Sequence, residues 1–203
     1  MSAAEIVLLV IAGAAIVAGL LLWHARRLDR LHRRVLDTRA ILETQLGQRS
    51  EVAAQLAHSG LLDAASSVVV AEAAWQAGIH ADRLIPIDPA HGSIGIRAAA
   101  PLTGGLDRGQ AESDLTVALR AALGEPADRE LMAATSGARE LLEQVERCCY
   151  RAQLARRFHN EVVVAVLSLR GSWFVRFFHL AGRAPLPRPV DMDDAVFDQA
   201  PRT

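Results

Sequence analysis

Leu28, Leu31, Val35, Leu42, Leu46, Ala53 and Leu56 recur at steps of three, four and seven, with charged residues between them. That spacing places them on one stripe of an α-helix. No proline precedes Pro86, so the pattern predicts one unbroken helix from about residue 25 to Ala57. Gly47 inside it weakens the helix by only ~1 kcal/mol relative to alanine, and the "HSG" at 58–60 supplies a stop.

Upstream the pattern loses its polar face. Ile6–Trp23 is an apolar run of 18 residues, which as a helix spans ~27 Å, close to the ~30 Å hydrocarbon core of a bilayer. Trp23 suits the interface, where an amphipathic ring is stable. A cleaved signal peptide fits poorly, because Glu5 stands where basic residues belong and "HARRLDRLHRR" stands where a small-residue cleavage site belongs. The run reads as an uncleaved anchor. Arg26, Arg27, Arg30, Arg33 and Arg34 follow it and no arginine precedes it. The positive-inside rule then puts the N-terminus outside and the rest in the cytoplasm, a single-pass protein of the plasma (cytoplasmic) membrane. Ala15 and Gly19 have the spacing that lets two anchors pack closely, although an alanine-rich span produces such pairs by chance.

Beyond the first helix, "LLDAASSVVVAEAAWQAG" predicts a second, closed by Gly78, and "ESDLTVALRAALG" a short third. Between them, residues 79–110 are rich in proline, glycine and polar residues and read as a long loop. From Ala127 to about Leu169 a long fourth helix is expected, with Leu131, Ala134, Ala138, Leu141, Val145, Cys148, Ala152, Ala155, Phe158, Val162, Ala165 and Leu169 on its buried stripe. Residues 183–203, with Pro185, Pro187, Pro189 and four aspartates, read as an extended or disordered tail. The expected architecture is all-α: a transmembrane anchor (1–24) continuing into a cytoplasmic antiparallel bundle of long helices (25–182).

Composition sharpens this. Apolar residues make up 51% of the chain but aromatics only 4%; alanine and leucine carry the load and favour helix over sheet. The formal charge of −1 offers no overall basic field for nucleic acid. Cys148 and Cys149 are neighbours, which excludes a disulfide framework or zinc site and suits a reducing compartment.

Trp173, Phe174, Phe177 and Phe178 form an aromatic cluster at helical spacing, flanked by Arg170, Arg176 and Arg183. In an up-down-up-down bundle the fourth helix returns toward the membrane the first one leaves. The cluster then either lies in the lipid headgroups or caps the bundle's membrane-facing end.

Two stretches carry a resemblance. "LDRLHRRVLDTRAILETQLGQRSEVAAQLA" and "ERCCYRAQLARRFHNEVVVAVLSLRGSWFVRFFHLAG" are similar to the LemA family, most specifically in Gln45, Leu46 and Arg49 and in Arg157, Phe158 and Asn160. The chain departs from that family at His159, where members usually have tyrosine, at Val166 and Leu167, where they have Tyr-Asn, and near Arg170, where they have proline. The resemblance implies an N-terminal membrane helix, a cytoplasmic helical bundle and no enzymatic activity. It also implies a bacterial inner-membrane scaffold or adaptor for another envelope protein.

A rival resemblance lies in "GGLDRGQAESDLTVALRAALGEP", which is similar to the Nudix phosphohydrolase box. Its chemistry needs several carboxylates for a divalent metal, yet Ala121 and Gly124 occupy two of the positions and only Glu112 and Glu125 remain. His80, Asp82, Asp88 and His91 in the long loop match no ligand spacing, and Glu140, Glu143 and Glu146 lack the histidine partners of a di-iron bundle. The sequence therefore points to no catalytic residue, metal or cofactor. The expected partners are membrane lipid, another envelope protein and further copies of the chain. A membrane organiser acting through self-association and lipid contact is the second alternative.

Overall fold

A computed structural model describes residues 2–79, 105–173, 178 and 186–197. Among these the chain forms five helices and no strand: α1 (Ala3–His58), α2 (Ala64–Ile79), α3 (Gly105–Leu123), α4 (Pro126–Ala133) and α5 (Ala138–Gly171). The α1 helix opens with a capping box in which Ser2 and Glu5 each bind the other's backbone N–H, satisfying donors the first turn leaves free. It runs 56 residues without a break.

Two environments divide α1. Every residue from Ala4 to Leu20 is exposed, and this is the one helix among the described residues long and apolar enough to cross a membrane. From Leu28 onward the same helix buries Leu28, Val35, Leu42, Leu46, Ala53 and Leu56, six of the seven stripe positions expected from the spacing, and Leu31 is partly buried. At the change-over Arg27 lies over the Trp23 ring, 5.5 Å from its centre.

The α5 helix packs along α1 with falling residue numbers. Val35 clusters with Val163 and Val166, Leu42 and Leu46 with Ala152 and Ala155, and Val52–Leu56 with Val145, Cys148 and Cys149. On its other side α1 packs on α2, and α2 packs on α3. Asp63 caps α2, its Oδ1 accepting from the Ala65 and Ser66 N–H groups. The largest core cluster draws on α1, α2, α3 and α5.

Three expectations are corrected. The helix expected from Ala127 onward is two, because Gly137 adopts φ +79°, a left-handed conformation that glycine tolerates and a continuing helix excludes. The stripe on α5 also shifts: Phe158 is 53% exposed, whereas His159, Val163 and Val166 are buried. A step of four after Ala155 keeps the seam on α1, where a step of three would carry it off. The third helix starts at Gly105, not Glu112, so the six last residues of the expected 79–110 loop are helical. The remainder of that loop, with His80, Asp82, Asp88 and His91, lies outside the described residues.

His159 explains how the seam accepts a polar residue. The Thr38 hydroxyl donates to the Arg34 carbonyl at 2.9 Å and lies in hydrogen-bond contact with His159 Nδ1 at 3.2 Å, while Nε2 is buried with no partner among the described residues. Burial, reinforced by nearby Arg39, holds the imidazole below its ordinary value of 6.5. The unfolded chain therefore takes up a proton as pH falls below 6.5 while the folded chain resists, so stability is complete above 6.5 and declines below it. Denaturant unfolding at pH 7.5 and 5.5 should show that decline in the natural chain, and His159→Leu should reduce it. An unchanged slope would show that His159 titrates normally.

Candidate functional site

The helices leave one side open. Around the bundle the order is α5, α1, α2, α3, and α3 and α5 share few direct contacts. The gap between them holds two connected features: a buried arginine–carboxylate cluster and a strap formed by the chain's own residues 190–197.

The cluster centres on Glu112, which is fully buried, with Arg49 and Arg108 each 1% exposed. Arg108, one turn earlier on α3, donates from Nε to Glu112 Oε1 at 2.9 Å and brings Nη2 to the same oxygen at 2.8 Å. Arg49 reaches across from α1; its Nη2 donates to the Glu112 carbonyl at 2.6 Å and stands 3.1 Å from Oε2, and its Nη1 donates to Thr116 Oγ1 at 3.2 Å. Burial pushes the Glu112 carboxyl above its ordinary value, opposed by the two guanidiniums. Arg49 Nε and Arg108 Nη1 are buried with no hydrogen-bond partner among the described residues. Two cations thus face one carboxylate inside the fold, a cationic excess that water does not screen well.

The strap lies beside this cluster. From Val190 to Val196 burial alternates: Val190, Met192, Asp194 and Val196 are buried and Asp191, Asp193 and Ala195 exposed, the two-residue period of an extended chain. Asn160 on α5 holds it with both halves of its amide, Nδ2 donating to the Val190 carbonyl at 3.0 Å and Oδ1 accepting from the Val190 N–H at 2.8 Å. Arg156, one turn earlier, pairs with Asp194 at 2.6 Å. From α3, Ser113 Oγ accepts from the Asp193 N–H at 3.0 Å and Thr116 donates to the Asp193 carbonyl at 2.6 Å. Arg120 pairs with Asp193 at 2.8 Å and donates from Nε to the Ala195 carbonyl at 2.8 Å; the hydrogen bond from Arg120 holds the Asp193 carboxyl below its ordinary value. Gly109 passes so close that a Cβ there would stand 2.6 Å from the Asp191 carbonyl. Arg129 of α4 covers the Phe197 ring at 5.1 Å. Thr116 touches both Arg49 and the strap, which joins the two features.

The signature residues divide between these features. Arg49 belongs to the cluster, Asn160 clasps the strap and Leu46 is in the core. Gln45 is half-buried, its Oε1 with no hydrogen-bond partner among the described residues, and Arg157 and Phe158 face outward. Trp173 is 73% and Phe178 38% exposed, while Phe174 and Phe177 lie outside the described residues. Of the two carboxylates left in the phosphohydrolase resemblance, Glu112 sits in the cluster and Glu125 is exposed, preceding Pro126 at the start of α4. Cys148 and Cys149 are buried free thiols. Burial outweighs the neighbouring arginines and raises both, Cys149 to about 11, so neither is an activated nucleophile. Sequence reasoning missed the roles of Arg108, Thr116, Arg120, Arg156, Asp193 and Asp194; for the last two the available signal was the alternation in "VDMDDAVF". No known family profile, curated protein or solved structure matches the chain.

Replacing Glu112 by Gln keeps the shape but leaves two buried guanidiniums without a counter-charge, and a loss on the order of 3–5 kcal/mol is expected. Chemical denaturation of the full chain in detergent measures it. A loss below ~1 kcal/mol would mean that water reaches the cluster and screens it.

Proposed function

We propose that the chain is a membrane-anchored cytoplasmic helical scaffold or adaptor, similar to LemA proteins, that binds another protein of the bacterial envelope. The observation that carries this reading is the division of α1. Its first segment presents apolar side chains on every face, which only lipid or another apolar surface satisfies, and the same helix then enters the folded core.

The falling register of α5 along α1 supports an antiparallel bundle. Val166 packs beside Val35, and α5 continues to Gly171, about 7 Å further along a helix, with Trp173 just beyond its end. That brings the exposed Trp173 toward the level of Arg26–Arg30, the arginines on which the N-outside orientation rests. A scaffold is favoured over a phosphohydrolase because the two arginines that hold Glu112 leave it poorly placed to bind a metal.

Crosslinking in intact cells, then mild-detergent capture and mass spectrometry of the full chain, tests the proposal, with a chain lacking residues 2–23 as control. Enrichment of one envelope protein, lost in the control, is the expected result. Self-crosslinks and lipid alone would overturn the adaptor reading in favour of a membrane organiser.

A further inference from the structure

The strap is read by the helices in a way that depends little on its own side chains. Asn160 pairs with the N–H and carbonyl of Val190, Ser113 and Thr116 take the N–H and carbonyl of Asp193, and Arg120 takes the carbonyl of Ala195. Side chains are selected at only a few places. Val190 and Met192 enter the cluster with Leu42, Leu46, Ala152 and Ala155, Val196 enters the main core, and Asp193 and Asp194 meet Arg120 and Arg156. Every reading group sits on a helix that owes its own place to α1 and α2. In sequence the strap follows α5, eighteen residues beyond Ser172.

Charge points the same way. Without the strap, the gap presents Arg120 and Arg156 above a cluster in which Arg49 and Arg108 share one carboxylate. Four arginines against one glutamate select an anionic occupant. The backbone that lies there is extended, and it passes Gly109 so closely that a Cβ would stand 2.6 Å from the Asp191 carbonyl. Extended chains held through their backbone, with pockets for alternate side chains, are a recurring mode of peptide recognition.

We propose that the α3–α5 gap is a peptide-binding groove, that residues 190–197 are its tethered occupant, and that its partner ligand is an extended acidic segment of another protein. That segment carries apolar residues at alternate positions and two adjacent carboxylates. The partner's identity as another protein rests on the adaptor reading above; the groove does not. The strap then acts as an internal competitor, set aside when a segment of matching chemistry binds.

The probe is a fluorescent peptide with the sequence of residues 186–199, titrated by anisotropy into the full chain in detergent. A tethered occupant competes at an effective concentration of ~mM, so the natural chain should bind the peptide weakly. The full chain with Asp193→Asn and Asp194→Asn keeps its groove but loosens its strap, and should bind the natural peptide at least ~10-fold tighter. Adding Gly109→Ala to that chain should abolish binding, because the new Cβ blocks the peptide backbone, while alanine favours the α3 helix. A peptide carrying both aspartate replacements, or a scrambled one, should bind ~10-fold more weakly or not at all. Should the double variant unfold, Asp194→Asn alone serves, with folding read by circular dichroism. Equal weak binding to natural and loosened chains, or binding indifferent to Gly109→Ala, would overturn the groove. Because the titration needs neither membrane nor partner, its failure is separable from a failure of the adaptor reading, which the cellular crosslinking decides alone.

Discussion

One helix carries two kinds of surface, and the rest of the molecule follows from that constraint. Residues 6–20 of α1 are exposed on all sides and apolar, and a few turns later the same rod is amphipathic and forms one wall of the core. A helix without a break transmits position and direction from the first segment to the second. Whatever fixes Ile6–Trp23 therefore also fixes Leu28–Leu56, and through the α1–α5 seam it fixes α5. The seam keeps register with apolar contacts at three levels and one polar contact, Thr38 with His159.

On that frame the polar chemistry is concentrated on one side. Arg49 extends from the seam helix to α3 and ties its position to Glu112, and Thr116 passes the connection on to the strap. The arrangement is costly in desolvation and is repaid only with all partners present. It also fixes a single register between α1 and α3, which share few other contacts. Because cations outnumber carboxylates there, the gap favours an acidic segment, and the chain's own C-terminal residues provide one.

Much of the helical framework was legible from spacing alone. The stripe on α1 named six buried residues, because a long amphipathic helix repeats its signal many times. The break at Gly137 was written in "ATSGA" but was outweighed by the apolar periodicity on both sides. On α5, choosing Phe158 over His159 followed hydrophobicity where geometry demanded a step of four, and the Thr38 hydroxyl that makes a buried histidine acceptable stands 121 residues away. The Arg49–Glu112 pair is separated by 63 residues and leaves no local trace. The strap was hidden for a different reason. Proline and aspartate normally mark a solvated tail, and its alternating apolar residues acquire meaning only once Asn160 and Arg156 are seen waiting for it.

The proposed division of α1 between lipid and protein is tested most directly by accessibility along the helix. Single spin labels would be placed from Val7 to Leu31 of the full chain in vesicles, with Cys148 and Cys149 replaced by alanine, and read for collision with oxygen and with a water-soluble nickel complex. Oxygen-dominated collisions are expected through Leu22, with no side of the helix spared. At Leu28 both probes should lose access as the core takes over. Nickel access throughout 7–22, or a period of 3.6 residues there marking a protein-covered face, would contradict that division.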